Sequence, residues 1–389
     1  MFSSRLRDAA GPNRLAVALE RRRAAGLEVY DLTLSNPTQA GFTYPIGMLA
    51  PLADDRSLCY QPEPFGMLSA RRVVADDLAR RGVSVTVDRT VLTASTSEAY
   101  SLLFKLLCDA GDAVLAPRPS YPLIEHLTGL DAVSLEHYHL EFHGRWELDL
   151  DELRAKARGR RVRAIIMISP NNPTGSVFTH DELDAVAAIA REHDLAIISD
   201  EVFADYAIAD GRAASALHQE QALTFALGGL SKSAGLPQVK LGWMAIGAPA
   251  GLVNDAMARL ETICDAYLSV STPVQVAVSD FLSMGASVRV QIQERVRDNY
   301  QRLTALAAAH PTCTVLPVEA GWYAVVQIPN FVSEEAVVLE LLDEAGVLVH
   351  PGYFFDFERE AFLVVSLLPQ PDVFASAVEA LLQYIGSRR

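Results

Sequence analysis

Four lysines occur in the 389 residues, and two of them lie eight apart in GGLSKSAGLPQVKLGW, residues 228–243. The other basic positions are arginines. A lysine amine set among small residues can hold a carbonyl as a Schiff base and then carry a proton. Lys232 and Lys240 invite such a reading, whereas Lys105, on a helical stretch, and Lys156, in RAKARGRR, read as solvated surface groups. Three further polar clusters accompany them: TASTSEAY (93–100), SPNNPTG (169–175) and SDEVFADY (199–206). Hydroxyls and N–H groups ahead of a helix suit a phosphate. An aspartate closing a buried strand suits a cationic partner.

Short apolar runs precede most of these clusters and must position them. DAVLAPRPSY, RVRAIIMIS, LAIIS and TFALGGLS read as buried strands, separated by helical patterns such as SEAYSLLFKLL and DELDAVAAIARE. Strands alternating with helices predict an α/β fold with a mostly parallel sheet covered on both faces. Ligands of such sheets sit beyond the carboxyl ends of the strands, where SPNNPTG, SDE and SKS fall. A long arginine-rich amphipathic stretch begins near residue 285, and WYAVVQIP and AFLVVSLL read as strands of a smaller α+β domain. The expected organisation is an N-terminal helix and arm over 1–40 packing with the small domain, a large domain over 41–284, and the small domain over 285–389.

Composition narrows the function classes. A net charge of −15 disfavours nucleic acid and anionic membranes as partners. The four cysteines are scattered, so no metal site and no disulfide framework are expected, and a reducing cytoplasm is the expected location. The first residues lack the apolar centre of a secretory signal, and no apolar run approaches membrane-spanning length. No G-x-G-x-x-G or G-x-x-x-x-G-K-[ST] occurs, which removes dinucleotide and P-loop readings.

The ordered set SPNNPTG, SDEVFADY and LSKSAGLPQVKLGW resembles the class I/II aminotransferases of the fold-type I pyridoxal-phosphate family, which are aspartate aminotransferase-like. The resemblance extends to YQPEPFGMLSARRVVADDL (60–78), to TASTSEAYSLLFKLL (93–107) and to AGWYAVVQIP (320–329). It implies a large domain built on a seven-stranded sheet, pyridoxal 5′-phosphate as cofactor, and a homodimer with shared sites. It implies that Lys232 is the Schiff-base lysine and proton carrier, and that Asp200 faces the pyridine nitrogen. By the same resemblance Asn172 meets the ring oxygen, Tyr121 stacks on the ring, and Ser95, Thr96, Ser97 and Ser231 hold the phosphate. Tyr60 is implied to reach the neighbouring subunit's phosphate.

Three positions depart from the family pattern. Lys240 stands where an arginine usually forks onto the phosphate; it keeps the charge and loses the bidentate geometry. Phe203 stands where a tyrosine usually donates to the ring oxygen, which predicts a raised pKa for the Lys232 imine unless Tyr206 compensates. Val364, in AFLVVSLLP, stands where an arginine usually grips the substrate carboxylate. Arg359 is the nearest replacement, with Arg14 another, and Tyr323 and Gly352 lie in stretches that border the site in relatives. Asn36, in LSNPTQAGF, either offers its amide to the substrate or forms a turn.

The resulting expectation is a transaminase that moves an amino group between an amino acid or amine and a keto acid or other carbonyl, with atypical carboxylate recognition. A pyridoxal-phosphate lyase cleaving a carbon–sulfur bond is the alternative. A non-catalytic cofactor-binding module is a third reading.

Overall fold

Runs such as VRAIIMI and AIISD, rich in isoleucine and buried along nearly their whole length, form the middle of an eight-stranded sheet. The computed structural model describes all residues except 1, 4, 7–10, 12, 210–213, 331–332 and 388–389. The strands are β1 (Thr90–Thr93), β2 (Ala113–Arg118), β3 (Ser134–Phe142), β4 (Trp146–Leu148), β5 (Val162–Ile168), β6 (Ala196–Asp200), β7 (Thr224–Gly229) and β8 (Gly242–Gly247). They lie side by side in the order β1-β8-β7-β6-β5-β2-β3-β4. β8 runs antiparallel to β1 and β7, and β4 antiparallel to β3; the remaining pairs are parallel. The expected seven strands are thus joined by an eighth, the three-residue β4, which a hairpin adds at one edge.

Alternate residues of the central strands feed two different cores. Leu115, Ile165, Met167 and Ile197 face one layer of helices, while Val114, Ile166, Ile198 and Phe225 face the other. Both faces are therefore covered, as a parallel sheet requires. A second, antiparallel sheet comprises β9 (Thr314–Val315), β10 (Tyr323–Gln327), β11 (His350–Pro351) and β12 (Phe362–Ser366), in the order β9-β10-β12-β11.

Helix α1 (Arg14–Ala24) starts at Asn13, whose side chain accepts from the Ala16 N–H, and reaches the C-terminal part through Arg14–Glu335 and Arg21–Asp343 contacts. Just after it, Tyr30–Asp31 pairs in parallel with Val347–Leu348. Helices α2 (Thr96–Leu107) and α3 (Leu123–Leu130) flank the sheet's polar end. Helix α4 (Thr272–Ala307) is 36 residues long. It starts at Thr272, where Ser271 and Pro273 mark an N-terminus, and not near 285 as its arginine content alone indicates. Its first turns pack Val274, Val278 and Phe281 beside the large sheet, and its later turns place Ile292, Val296 and Leu303 in the core shared with the small sheet. One continuous helix therefore spans both cores.

Candidate active site

Beyond the carboxyl ends of β5, β6 and β7 lies a cavity of about 480 Å³, within the usual range for small-molecule sites. Lys232 projects into it from a single helical turn, Leu230–Ser233, that follows β7. That turn is tied down on several sides: Ser233 Oγ donates to the Gly229 carbonyl at 3.0 Å, and an Arg289 N–H donates to the Ser233 carbonyl at 3.1 Å. The Tyr206 hydroxyl donates to the main-chain carbonyl of Lys232 itself. Lys232 Nζ lies 4.7 Å from the ring centroid of Trp322 and 5.4 Å from that of Phe203. Burial against these rings pushes its pKa down to about 8, with the Asp200 charge opposing the shift.

Asp200 closes β6. Its Oδ2 accepts from the Tyr100 hydroxyl at 3.1 Å and its Oδ1 from the Val202 N–H at 3.2 Å. Burial outweighs these bonds and pushes its pKa up to about 6. The neighbouring Glu201 points elsewhere: it pairs with Arg81 at 3.1 Å and accepts from Ser215 and the Ala216 N–H. One carboxylate therefore anchors the strand end, and the other is left for the cavity.

The N-terminus of α2 forms another wall. Ser95 is its cap, accepting from the Glu98 N–H at 3.2 Å, and Ser95, Thr96 and Ser97 all line the cavity. The N–H groups of a first turn lack partners within the helix, so this end favours an anion. Gly242 on β8 makes room for it, because a Cβ there would stand 2.9 Å from the Ser95 carbonyl carbon. Ser231 and Lys240 also line the cavity; Lys240 adopts a left-handed backbone, φ 60°. Asn172 is buried and lines the cavity, and its Oδ1 has no hydrogen-bond partner among the described residues. Tyr121 and the edge-packed Phe203 belong to the aromatic part of the lining, Phe203 meeting Trp322 at 5.3 Å.

Several expectations need correction. Arg359 is exposed and does not line the cavity, and Arg14 is drawn to Glu335 at 2.7 Å, so neither reaches a substrate there. Asn36 turns its Oδ1 to Thr38, accepting from both its N–H and its hydroxyl, and Ser35 is the residue of that segment that lines the cavity. The turn-forming role is the one observed. Tyr206 does not compensate for Phe203, because its hydroxyl is committed to the Lys232 carbonyl. Tyr60 is 67% exposed and borders a separate depression beside Tyr267 and Leu268. Within one chain it does not join the site. Tyr323 does, as do Tyr100, His350, Phe354 and Phe355, which the motif reading did not single out.

Residues 53–381 match the family model for aminotransferase class I and II. The chain belongs to this family. It is a pyridoxal-phosphate-dependent transaminase that moves an amino group between an amine-bearing donor and a carbonyl acceptor. It is 28% identical over 400 residues to the glutamate-pyruvate aminotransferase AlaA of Haemophilus influenzae, covering 98% of this chain and 96% of that protein. It is 28% identical over 383 residues to an alanine aminotransferase of Mycobacterium tuberculosis, covering 95% of this chain and 88% of that protein. Among solved structures, an aminotransferase from Escherichia coli superposes with a TM-score of 0.87 at 25% identity, covering 100% of this chain and 98% of that one. An alanine aminotransferase from Pyrococcus furiosus, at 23% identity and covering 96% of each chain, shares the fold with a TM-score of 0.88.

The residues present fit the cofactor of this family. A phosphate would find an open helix end with three hydroxyl residues, a ring nitrogen a buried carboxyl, a ring oxygen a buried side-chain amide, and an aldehyde an amine of lowered pKa. Among the described residues no cluster of three or more metal-ligating side chains occurs, and no helix is long and apolar enough to cross a membrane.

Proposed function

We propose that Lys232 is the amine that holds pyridoxal phosphate and that Asp200 is its ring-nitrogen partner. The observation carrying this reading is the opposition of a lysine with a lowered pKa and a carboxyl with a raised pKa in one cavity, with the α2 N-terminus as an anion cradle beside them. Asn172 meets the ring oxygen and Tyr121 lies on the ring face. Ser95, Thr96, Ser97, Ser231 and Lys240 hold the phosphate, Lys240 as a point charge.

When bound, the cofactor supplies an electron sink for the pair left on the substrate carbon. The chain's own groups do the remainder. An amine of pKa about 8 has roughly a tenth of its population uncharged near neutral pH, far more than an ordinary lysine. This makes Lys232 Nζ available as a nucleophile and, once released, as a base. Lys232 Nζ would take the proton from the substrate carbon and hold it for return within the same cavity. Asp200, ionised above about pH 6, would face the ring nitrogen and favour its protonated form. The aromatic lining excludes water from Lys232 while the proton is in transit.

The named relatives support glutamate and alanine as donors and pyruvate as an acceptor to test first. The exposed Tyr60, with Tyr267 and Leu268, supports a homodimer in which Tyr60 reaches the other subunit's phosphate. Purified protein supplied with pyridoxal phosphate is expected to form alanine from glutamate and pyruvate, and Lys232→Ala to abolish this while retaining the fold by circular dichroism. Full activity in Lys232→Ala contradicts the assignment.

A further inference from the structure

Asp200 and Ile198 are two apart on β6 and therefore point to the same face of the sheet, the face on which α2 packs. Ile198, Val114 and Ile166 meet Ala99, Leu103 and Phe104 there, and Tyr100 is buried in the same apolar layer. A hydroxyl in such a layer costs stability unless it is hydrogen-bonded. The Tyr100 ring packs on Phe104, centroids 6.0 Å apart, and its hydroxyl donates to Asp200 Oδ2 at 3.1 Å.

Among the described residues the donors to Asp200 are Tyr100 and Val202, one on each oxygen. The Val202 N–H lies two residues along the same chain and is the local bond that an aspartate makes in such a turn. Tyr100 arrives from a different element. It follows Thr96 by four residues and Ser97 by three, so one helix face carries both the anion cradle and the donor to Asp200. Burial first, and the Asp200 charge next, hold the Tyr100 hydroxyl well above the usual phenol range, so it stays protonated and serves the carboxylate as a donor. Burial raises the Asp200 pKa, and the Val202 and Tyr100 bonds pull against it; of the nearby charges, Glu201 raises it and Lys232 lowers it. One lone pair on each Asp200 oxygen is left for a further donor.

We propose that Tyr100 is the positioning residue of Asp200: its hydroxyl fixes Oδ2 and makes Asp200 the weaker base of the pair it forms with the cofactor's ring nitrogen. The inference rests on the reading of Asp200 given above. A proton shared by a carboxylate and a ring nitrogen stays on the more basic partner, and each donor to the carboxylate lowers its basicity. With Tyr100 in place the proton stays on the nitrogen, the form that best accepts an electron pair. Without Tyr100 the proton moves toward Asp200.

The test is nitrogen-15 NMR of the holoenzyme loaded with pyridoxal phosphate labelled at the ring nitrogen. The resonance reports whether that nitrogen carries a proton, and free cofactor in acid and in alkali supplies both reference positions. Wild type is expected at the protonated position, D200N at the unprotonated one, and Y100F displaced from wild type toward D200N. A tyrosine that only fills space would leave the resonance where it is. The apoprotein gives a second reading: infrared titration of the carboxyl band that D200N lacks. Its midpoint, about 6 in wild type, is expected to rise by at least about one pH unit in Y100F, the tenfold that one hydrogen bond to a charged group supplies. This titration decides if Y100F takes up no cofactor. The proposal is overturned by an unmoved Y100F resonance beside a moved one in D200N, or by an unmoved midpoint. Failure of Y100F to fold at about pH 5, where a neutral Asp200 needs the donor least, overturns it too. A wild-type nitrogen without a proton, at the D200N position, sinks the reading of Asp200 itself.

Discussion

Burial pushes Asp200 and Lys232 toward their neutral forms, a carboxyl at about 6 and an amine at about 8. The unfolded carboxyl keeps its ordinary value of 3.8, so the native apoprotein takes up a proton between the two values. Above the higher one, ionised Asp200 costs the apoprotein stability, at most about 3 kcal/mol. Asp200→Asn is therefore expected to raise the Tm of the apoprotein at about pH 7.5, to change it little near pH 4, and to weaken pyridoxal phosphate binding at least about tenfold. A lowered Tm at the higher pH in thermal melts contradicts this account of the carboxyl. Phe203 gives a second expectation, since Tyr206 is committed elsewhere. Phe203→Tyr supplies a donor to the ring oxygen and should lower the midpoint of the holoenzyme's visible-absorption titration by about one pH unit; an unmoved midpoint counts against it. Lys232, Asp200, Asn172 and Ser95–Ser97 were legible in the sequence because each follows or ends a local apolar pattern, and all line one cavity. Ser35 and His350 were not, because they arrive by packing of remote segments that no local pattern encodes. Arg359 was selected by nearness to Val364 along the chain and Asn36 by its place in the N-terminal segment, where a step of one residue moves the place that lines the cavity from Asn36 to Ser35.

Among the elements, the junction of α2 with β8 has little slack. A Cβ on Gly242 would meet the Ser95 carbonyl carbon at 2.9 Å, Thr93 Oγ1 at 3.0 Å and Ser95 Cα at 3.1 Å, and two of these are backbone atoms. Gly242→Ala must displace the start of α2, at a cost of about 1–3 kcal/mol. Because that helix start is the anion cradle, affinity for inorganic phosphate in the apoprotein should fall together with cofactor affinity. Loss of stability with phosphate binding intact, measured by melts and calorimetry, contradicts the placement of the cradle. The central strands were readable from their isoleucine and valine runs, which double-sided burial demands. The start of α4 was harder, because its first turns bury Val274, Val278 and Phe281 and carry no arginine until Arg289. β4 is three residues long and exists by pairing with β3.

At the scale of the whole molecule, residues of both sheets line the cavity, with α4 running through both cores. Tyr60 lies outside it in the single chain. If Tyr60 serves the other subunit, Lys232→Ala and Tyr60→Ala chains must complement each other. Only the mixed dimer has one site with both residues, and only one of its two sites. Unfolding and refolding an equal mixture should restore roughly a quarter of wild-type activity from two poorly active parents. No recovery in mixtures shown by light scattering to be dimeric contradicts the shared site.

The central claim is that Lys232, among four lysines, holds the cofactor. Borohydride reduction of the holoenzyme followed by peptide mass mapping tests it directly, since reduction fixes the cofactor to whichever amine holds it. The account predicts the pyridoxyl mass on Lys232, with Lys105, Lys156 and Lys240 unlabelled. Label on any of those three, or a reduced holoenzyme without label on Lys232, contradicts it.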